Sequence, residues 1–328
     1  MAILVTGAAG FIGYHLCEAL LARGERVVGV DSLNDYYDVR LKEARRDRLL
    51  RHNAFSFEHA DIADRAAMEA LSPKHPEITR IVHLAAQAGV RYSLENPYAY
   101  VHANLLGQIV MLEFCRRLEG LEHFVYASSS SVYGGNTKIP FSTDDRTDTP
   151  ISLYAATKKA DEHMSHCYSH LYRIPATGLR FFTVYGPWGR PDMAAYIFAR
   201  AITEGRPIQL FNNGDMKRDF TYIDDIVQGI LGCLAKPPAD DGETAPHRVY
   251  NLGNHKSEPL GRFVELLETA LGQRATIEYA PMQPGDVKET YADIESATRD
   301  FGFKPTVPID VGLPRFVDWY RAYHGSGA

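Results

Sequence analysis

The chain has 328 residues, of which 45% are hydrophobic and 23% are charged. These values are ordinary for a globular protein, and the length suits one large domain or two fused ones. The formal net charge of −6 provides no positive field. We therefore expect no nucleic-acid partner and no membrane partner, and an anionic ligand would need local cations.

The four cysteines are scattered, without CxxC or metal-ligand spacing. We interpret them as reduced thiols in a reducing compartment, and we expect no metal site. The chain starts with a short apolar run that no basic segment precedes, and no stretch reaches the ~18 apolar residues of a membrane span. These features favour a cytoplasmic protein.

Short apolar runs alternate with amphipathic segments along the first half of the chain. The runs predict buried strands over residues 2–6, 26–30, 55–59, 80–85, 123–127 and 176–181. The segments between them predict helices over residues 11–23, 98–118 and 153–172. This alternation is typical of an α/β fold with a doubly wound parallel sheet and helices on both faces.

The pattern loosens after Phe182. Helices are predicted over residues 196–204, 223–234, 259–271 and 308–323, with only short strands between them. Clusters of Pro and Gly predict loops at residues 186–191, 236–242 and 281–285. We expect a first domain over residues 1–180 and a smaller C-terminal α/β substrate lobe over residues 181–328, interleaved with the first.

A glycine-rich turn follows the first predicted strand. Gly7, Gly10 and Gly13 are spaced GxxGxxG and lead, with Phe11 and Ile12, into a predicted helix. The first glycine permits a tight turn, the second lets a pyrophosphate approach the backbone, and the third lets helix and strand pack closely. Because the helix N-terminus presents unpaired N–H groups to phosphates, the pattern predicts a Rossmann-type dinucleotide-binding domain.

Two acidic residues follow the next two strands. The carboxylate of Asp31 can accept a hydrogen bond from a ribose 2′-hydroxyl and would repel a 2′-phosphate, which favours NAD over NADP. The alternative is that Asp31 is a helix cap or turn residue. Asp61, with Ile62, either contacts the adenine or caps a helix over residues 65–71.

Small residues end the fourth predicted strand. The segment reads Leu84, Ala85, Ala86 and Gln87. Small side chains suit a backbone that passes close to a cofactor, although tight packing between strand and helix would require them equally.

A tyrosine and a lysine are spaced for joint chemistry. Tyr154 and Lys158 lie at i and i+4 of a predicted helix, and therefore on one face. An ammonium group near a phenol stabilises the phenolate, which makes it a usable proton acceptor. The spacing alone is common on exposed helices. Its context is a serine run, Ser128 to Ser130, at the carboxyl end of a strand, where parallel sheets bind ligands. These serines either hold a sugar oxygen or form a polar turn.

Nearly the whole chain resembles the extended short-chain dehydrogenase/reductase superfamily, in its branch of nucleotide-sugar epimerases and dehydratases. The resemblance is carried by residues 7–13, 84–87, 128–134 and 154–158, and by Asp31, Asp61, Asn104 and Arg218-Asp219-Phe220. It implies that Tyr154 is the acid/base and that Lys158 holds the nicotinamide ribose. It further implies that Ser129 assists at O4, with Ser130 able to share that role, and that Asn104 lies behind the cofactor site.

Three longer segments are similar to UDP-glucuronate 4-epimerases, namely residues 31–38, 86–93 and 180–194. They include Asn34, expected at the cofactor, and Arg91, expected at the substrate. UDP-glucose 4-epimerases usually have Asn-Pro in place of Thr183-Val184, and 4,6-dehydratases have Asp-Glu in place of Ser129-Ser130. The resemblance implies a homodimer that uses tightly bound NAD to interconvert UDP-glucuronate and UDP-galacturonate through a 4-keto intermediate.

Further residues are candidates for binding the UDP-sugar. A guanidinium fork suits phosphate, so Arg218 is expected at the diphosphate, with Gln209 and Phe211 near the uracil and Asp286 at the uridine ribose. The alternative for each is a role on the surface or in loop packing.

A 4-keto hexuronate can lose CO₂, so an epimerase must restrain the C6 carboxylate. Thr183 can donate a hydroxyl hydrogen bond and Arg190 a cationic fork, although a salt bridge within its loop would also explain Arg190. The alternatives are another UDP-hexose 4-epimerase, a UDP-glucuronate decarboxylase or, more distantly, a non-catalytic NAD-binding regulator. A regulator would need neither Tyr154 nor Lys158.

Overall fold

The structure is a computed structural model that describes residues 1–325. Its thirteen strands are β1 Ala2–Thr6, β2 Val27–Asp31, β3 Phe55–His59, β4 Ile78–His83, β5 His123–Ser129, β6 Ala176–Phe181, β7 Thr183–Tyr185, β8 Ile208–Leu210, β9 Lys217–Arg218, β10 Phe220–Tyr222, β11 His247–Leu252, β12 Glu258–Pro259 and β13 Ile277–Tyr279. Its α-helices are α1 Phe11–Ala22, α2 Val39–Leu49, α3 Arg65–Glu69, α4 Leu71–Lys74, α5 Tyr92–Glu95, α6 Pro97–Tyr100, α7 Gly107–Arg117, α8 Leu153–Tyr172, α9 Ala194–Thr203, α10 Ile223–Leu234, α11 Leu260–Leu271, α12 Glu295–Phe301 and α13 Ile309–Gly325.

Seven strands form one parallel sheet in the order β11-β6-β5-β4-β1-β2-β3. The order reverses at β1, which therefore has β2 on one side and β4 on the other. The carboxyl ends of β1 and β4 meet at this switch point, which is where open α/β sheets bind ligands. The predicted doubly wound, Rossmann-type sheet is confirmed.

Both faces of the sheet are covered, because successive side chains of a buried strand point to opposite sides. Ile3 and Val5 of β1 belong to a core cluster that includes α1, whereas Ala2 and Leu4 belong to a second cluster that includes α7. Helix α1 packs on α2 and α10, and α7 packs on α3 and α8. The sheet therefore lies between two helical layers.

Most predicted elements of the first half are confirmed, with three corrections. The fourth strand spans residues 78–83, not 80–85. The helix predicted over residues 98–118 is divided into α6, a π-helical turn Val101–Leu106 and α7. The segment 65–71 is not one helix, since α3 ends at Glu69. Helix α2 was not predicted, because its sequence is mostly charged and has no continuous apolar face.

The second half builds small paired strands around the cleft and adds one strand to the main sheet. β7 pairs with β10, β9 with β12 and β8 with β13. β11 pairs in parallel with β6 along residues 247–252, so the outer edge of the sheet comes from beyond residue 180. Among residues 1–325, no helix is long and apolar enough to cross a membrane.

Candidate active site

A cleft of about 720 Å³ opens along the carboxyl ends of β1, β2, β4 and β5. It brings together most of the residues that the sequence nominated, from positions between Gly7 and Asp286. Those that line it are Gly7, Gly10, Phe11, Ile12, Gly13, Asp31, Asn34, Asp61, Ile62, Leu84, Ala85, Ala86, Gln87, Ser128, Ser129, Ser130, Tyr154, Lys158, Thr183, Arg190, Arg218 and Asp286.

The glycine turn has no space for side chains. Gly7 has a positive φ of 72°, and a Cβ there would lie 2.8 Å from the backbone nitrogen of Ala85. A Cβ on Gly13 would lie 2.0 Å from the carbonyl oxygen of Gly7. The N-cap residue of α1, Gly10, contributes no side-chain cap. The N–H groups at the start of α1 therefore face the cleft without a competing side chain, which fits a dinucleotide pyrophosphate.

The Asp31 carboxylate is fixed by the backbone on both sides. Its Oδ2 atom accepts from the N–H of Ala9 at 3.0 Å, and its Oδ1 atom accepts from the N–H of Leu33 at 2.8 Å. Asp31 therefore also serves as the turn residue that the alternative interpretation proposed. Each carboxylate oxygen can accept a further hydrogen bond, so the two roles are compatible.

Lys42 adds a cation to this end of the cleft that the sequence did not indicate. Its ammonium group donates to the carbonyl oxygen of Asn34 at 2.6 Å and to the side-chain oxygen of the same residue. Burial lowers the pKa of Lys42 to about 8. The signal was hidden because Lys42 belongs to the unpredicted helix α2.

Asp61 does not cap the helix that follows. Asp64 is the N-cap and accepts from the N–H of Ala67. Asp61 instead accepts from the N–H of Ala63 at 2.9 Å and pairs with His102 Nε2 at 2.9 Å. The capping alternative for Asp61 is therefore wrong. Asp61 and His102 both line the cleft, and the adenine contact stays a prediction.

Helix α8 positions the tyrosine and the lysine. The helix begins after Ser152, whose hydroxyl oxygen accepts from the N–H of Ala155 at 3.1 Å. The Tyr154 ring contacts the Tyr100 ring edge-on, with centroids 6.0 Å apart. Lys158 is buried and donates to the carbonyl oxygen of Ala127 and to Asp161, both at 3.0 Å. These contacts fix the lysine ammonium group between β5 and α8.

The three nominated serines have different environments. Ser128 is buried and donates to the carboxylate of Glu162 at 2.7 Å. Ser129 is the N-cap of a short 3₁₀ turn, and its oxygen accepts from the N–H of Ser131 at 3.2 Å. Since that bond uses an acceptor site only, the Ser129 hydroxyl proton remains available to a ligand. Ser130 is the next residue along the cleft wall.

Arg190 lines the cleft but forms the salt bridge that the alternative interpretation anticipated. It donates from Nε to Asp192 at 3.0 Å and from Nη2 to the same carboxylate at 2.7 Å. Burial alone would lower the pKa of Arg190, but Asp192 outweighs this effect and raises it. Tyr154 lies near enough to contribute to the same rise. A cationic fork is therefore present in the cleft with Thr183.

At the far end of the cleft, only two of five nominated residues form the wall. Arg218 and Asp286 line it, and burial lowers the pKa of Arg218. Arg91 is exposed, pairs with Asp286 at 3.0 Å and lies over the Phe211 ring at 4.3 Å. Gln209 is exposed on β8 and is not part of the cleft wall, so its contact with the uracil stays a prediction.

Asn104 lies behind the cleft wall, the position that the resemblance implied. Its side chain donates to the carbonyl oxygen of Gln87 at 3.1 Å and to the Thr157 hydroxyl at 2.9 Å, and it accepts from the N–H of Gln87 at 2.8 Å. Asn104 is fully buried and lies outside the cleft wall. It therefore connects the end of β4 to α8 and does not contact a cofactor directly.

A dinucleotide-type sheet with a Tyr-xxx-Lys pair at its carboxyl edge defines the short-chain dehydrogenase/reductase class. Within that class, the family model "NAD dependent epimerase/dehydratase family" matches residues 3–253. The chain belongs to this family.

Among the similar proteins, two sequences and one solved structure match nearly the whole length of this chain. The chain is 50% identical to "UDP-glucuronate 4-epimerase 3" of Arabidopsis thaliana over 99% of this chain and 77% of that protein. It is 49% identical to "Protein CapI" of Staphylococcus aureus over 99% of both. The crystal structure of UDP-glucuronic acid 4-epimerase from Bacillus cereus, in complex with UDP-glucuronic acid and NAD, superposes with a TM-score of 0.90 at 36% identity, covering 98% of this chain and 100% of that one.

Proposed function

We propose that the protein is an NAD-dependent 4-epimerase that interconverts UDP-glucuronate and UDP-galacturonate. The observation that carries the proposal is the placement of Tyr154, the serines at the end of β5 and the Arg190 fork in one cleft with the glycine turn. The similarity to UDP-glucuronate 4-epimerases over nearly the full chain supports it.

NAD fits the residues at the glycine turn. Gly7, Gly10 and Gly13 leave the backbone of the turn open to a pyrophosphate, and Asp31 offers carboxylate oxygens to the adenosine ribose. The chemistry that bound NAD supplies is reversible acceptance of a hydride from C4 of the sugar.

The residues of the chain supply proton transfer and orientation. Tyr154 accepts the O4 proton as C4 is oxidised and returns it when C4 is reduced on its opposite face. Ser129 donates its free hydroxyl proton to O4, with Ser130 beside it. Lys158, which Ala127 and Asp161 hold in place, would bind the nicotinamide ribose. The reaction is redox-neutral overall, because each hydride removed is returned.

The UDP group keeps the sugar in the cleft while the 4-keto intermediate turns over. We assign Arg218 to the diphosphate, since its half-buried guanidinium lines the cleft. Arg91 and Asp286 form an ion pair at the same end, so a uridine that contacts Asp286 must share or displace Arg91.

The C6 carboxylate is the group that distinguishes this substrate from a neutral hexose. Arg190 binds it from the free edge of the guanidinium, and Thr183 adds a hydroxyl donor. In this position the C5–C6 bond, which would break on loss of CO₂, is not aligned with the π orbital of the C4 ketone. Decarboxylation is thereby prevented.

We further propose a homodimer and a cytoplasmic location. Tyr98, Val101 and Leu106 are exposed by 82%, 48% and 46% on one helical stretch, which packs on α8. Such apolar side chains suit burial against a second copy. The four cysteines are free, which suits a reducing compartment. We also propose that residues 1–180 bind the cofactor and residues 181–328 the substrate. Strand β11 of the second part then completes the sheet of the first.

The test is to incubate the purified protein with UDP-glucuronate and to resolve the products by chromatography. We expect UDP-galacturonate without net consumption of NAD. A UDP-pentose with released CO₂ as the main product would identify a decarboxylase instead. No conversion by a folded, NAD-loaded protein would contradict the proposal.

A further inference from the structure

Asp192 occupies only one edge of the Arg190 guanidinium. The two hydrogen bonds to Asp192 use Nε and Nη2, at 3.0 and 2.7 Å, and Nη2 also donates to the Met193 sulfur at 3.6 Å, so Nη1 is the nitrogen left for a ligand. A guanidinium carries five N–H donors in a rigid plane, so fixing one edge also fixes the direction of Nη1. The side chains of Arg190 and Asp192 are 23% and 28% exposed, which leaves the free edge accessible from the cleft.

Tyr36 holds this carboxylate from a distant part of the sequence. Its hydroxyl donates to Asp192 Oδ2 at 3.2 Å, across 156 positions of the chain. Tyr36 lies in the loop between β2 and α2, the same loop that begins with Asp31. Tyr36, in the loop that follows Asp31, thus reaches the carboxylate that holds Arg190.

The position of the Tyr36 hydroxyl is enforced by its neighbours. Gly89 has a φ of 106°, and a Cβ there would lie 2.9 Å from the Tyr36 hydroxyl oxygen. The Tyr36 ring also contacts the Tyr92 ring, with centroids 4.8 Å apart. Any larger residue at position 89 would displace the hydroxyl, so the approach to Asp192 depends on this glycine.

A second contact ties the same loop to the backbone before Arg190. Arg45 donates to the hydroxyl of Tyr37 at 2.8 Å and to the carbonyl oxygen of Trp188 at 2.5 Å. Arg45 is fully buried, and its other hydrogen bonds also end on backbone carbonyls. The backbone of the Arg190 loop and the Arg190 side chain are therefore both anchored to residues 36–45.

We propose that Tyr36 and Asp192 are positioning residues that aim Arg190 and so set the preference for a uronic acid over a neutral hexose. The inference rests on the proposed function, since it deepens the role given there to Arg190. Tyr36 itself lines the cleft, and the role assigned to it is to hold Asp192. It restrains Asp192, Asp192 restrains the fork, and the fork meets the carboxylate with a fixed direction, so that less ordering is needed on binding.

The test measures affinity, which does not depend on turnover. NAD-loaded protein is titrated calorimetrically with UDP-glucuronate and with UDP-glucose, for the unmodified protein and for Tyr36→Phe, Arg190→Ala and the double variant. We expect Tyr36→Phe to weaken UDP-glucuronate by about 2- to 10-fold, the effect of one hydrogen bond, and to leave UDP-glucose unchanged. In the Arg190→Ala background the same change should have no further effect, because its target is gone.

A matched control is available on the opposite edge of the sheet. Tyr250 of β11 donates to the carboxylate of Asp300 at 2.8 Å, so Tyr250→Phe removes the same kind of bond far from the cleft and should change neither affinity. Equal weakening of both ligands by Tyr36→Phe, or an undiminished effect in the Arg190→Ala background, would overturn the inference.

A second variant keeps the inference testable if Tyr36→Phe fails to fold. Asp192→Asn replaces one of the two carboxylate oxygens that accept from Arg190 by an amide NH₂ group. The Arg190 guanidinium is then no longer held in one direction. We expect more UDP-pentose and CO₂ per UDP-galacturonate formed, and an unchanged product ratio would count against the proposal. If the unmodified protein forms no UDP-galacturonate but the affinity ratio responds as expected, the proposed reaction fails and the positioning role stands.

Discussion

Ser128 donates its hydroxyl hydrogen bond to the carboxylate of Glu162 at 2.7 Å, which ties the end of β5 to α8. Glu162 also accepts two hydrogen bonds from Arg180 of β6, at 2.7 and 2.8 Å, and is almost fully buried. The Arg180 guanidinium in turn lies over the Tyr133 ring, 4.9 Å from its centroid. This buried group fixes the elements that carry Ser129 and Tyr154 relative to each other.

Glu162→Gln should lower stability in a pH-dependent way. Burial alone would raise the pKa of Glu162, but Arg180 and Ser128 outweigh it and lower the value from 4.5 to about 2. A carboxylate whose pKa is lower in the folded state stabilises the protein at any pH above its pKa in the unfolded state. That stabilisation is lost as the pH falls from about 4.5 towards 2. We expect a loss on the order of 3 kcal/mol at pH 7.

The measurement is urea unfolding of both proteins at pH 7 and at pH 3. The difference in free energy of unfolding should shrink at the lower pH, because at pH 3 the Glu162 carboxyl is protonated in the unfolded protein but still ionised in the folded one. Glu69→Gln is a suitable control, because Glu69 pairs with Arg65 and Arg117 on the surface and such pairs contribute little. A pH-independent difference would show that Glu162 acts through packing alone.

Tyr154→Phe should retain NAD and UDP-glucuronate binding but lose ~10²- to 10⁴-fold in kcat, because the phenol transfers the O4 proton. The ring contact with Tyr100 is kept in this variant. Turnover is followed as UDP-galacturonate formed, and binding by calorimetry. Near-normal kcat would exclude Tyr154 as the acid/base.

Asp31→Ala should reduce the discrimination against NADP, since the charge that repels a 2′-phosphate is removed. The alanine variant also loses the bonds to Ala9 and Leu33, so Asp31→Asn is the better-matched change. It keeps an acceptor oxygen but not the charge. We expect the ratio of the NADP and NAD dissociation constants to fall in both variants. Equal affinity of the unmodified protein for the two cofactors would refute the assignment.

Arg190→Ala should weaken UDP-glucuronate by roughly 10- to 150-fold, the effect of one charge-assisted hydrogen bond, with a much smaller loss for UDP-glucose. Since the carboxylate is then free to align with the C4 ketone, we also expect a UDP-pentose and CO₂. Arg190→Lys keeps the charge without the fork and should show an intermediate effect. Equal losses on both ligands would mean that Arg190 only supports its loop through Asp192.

The sequence alone determined six of the seven strands of the sheet, the glycine turn and the order of the chemical groups along the chain. These follow from local patterns: apolar runs, glycine spacing and the i, i+4 pair Tyr154 and Lys158. Their physical causes act within a few residues. The position of Asp31 at the end of β2 was predictable for the same reason.

Only the tertiary structure decided which side chains are free to meet a ligand. Ser128 was a candidate for holding a sugar oxygen, but its hydroxyl donates to Glu162. Asn104 lies behind the cleft, where its hydrogen bonds are made with Gln87 and Thr157. Gln209 is exposed between the buried residues Ile208 and Leu210, because successive side chains of a strand point to opposite sides. The contact between Tyr36 and Asp192 spans 156 positions, and no local pattern encodes it, because hydrogen bonds between loops depend on how the packed elements bring them together.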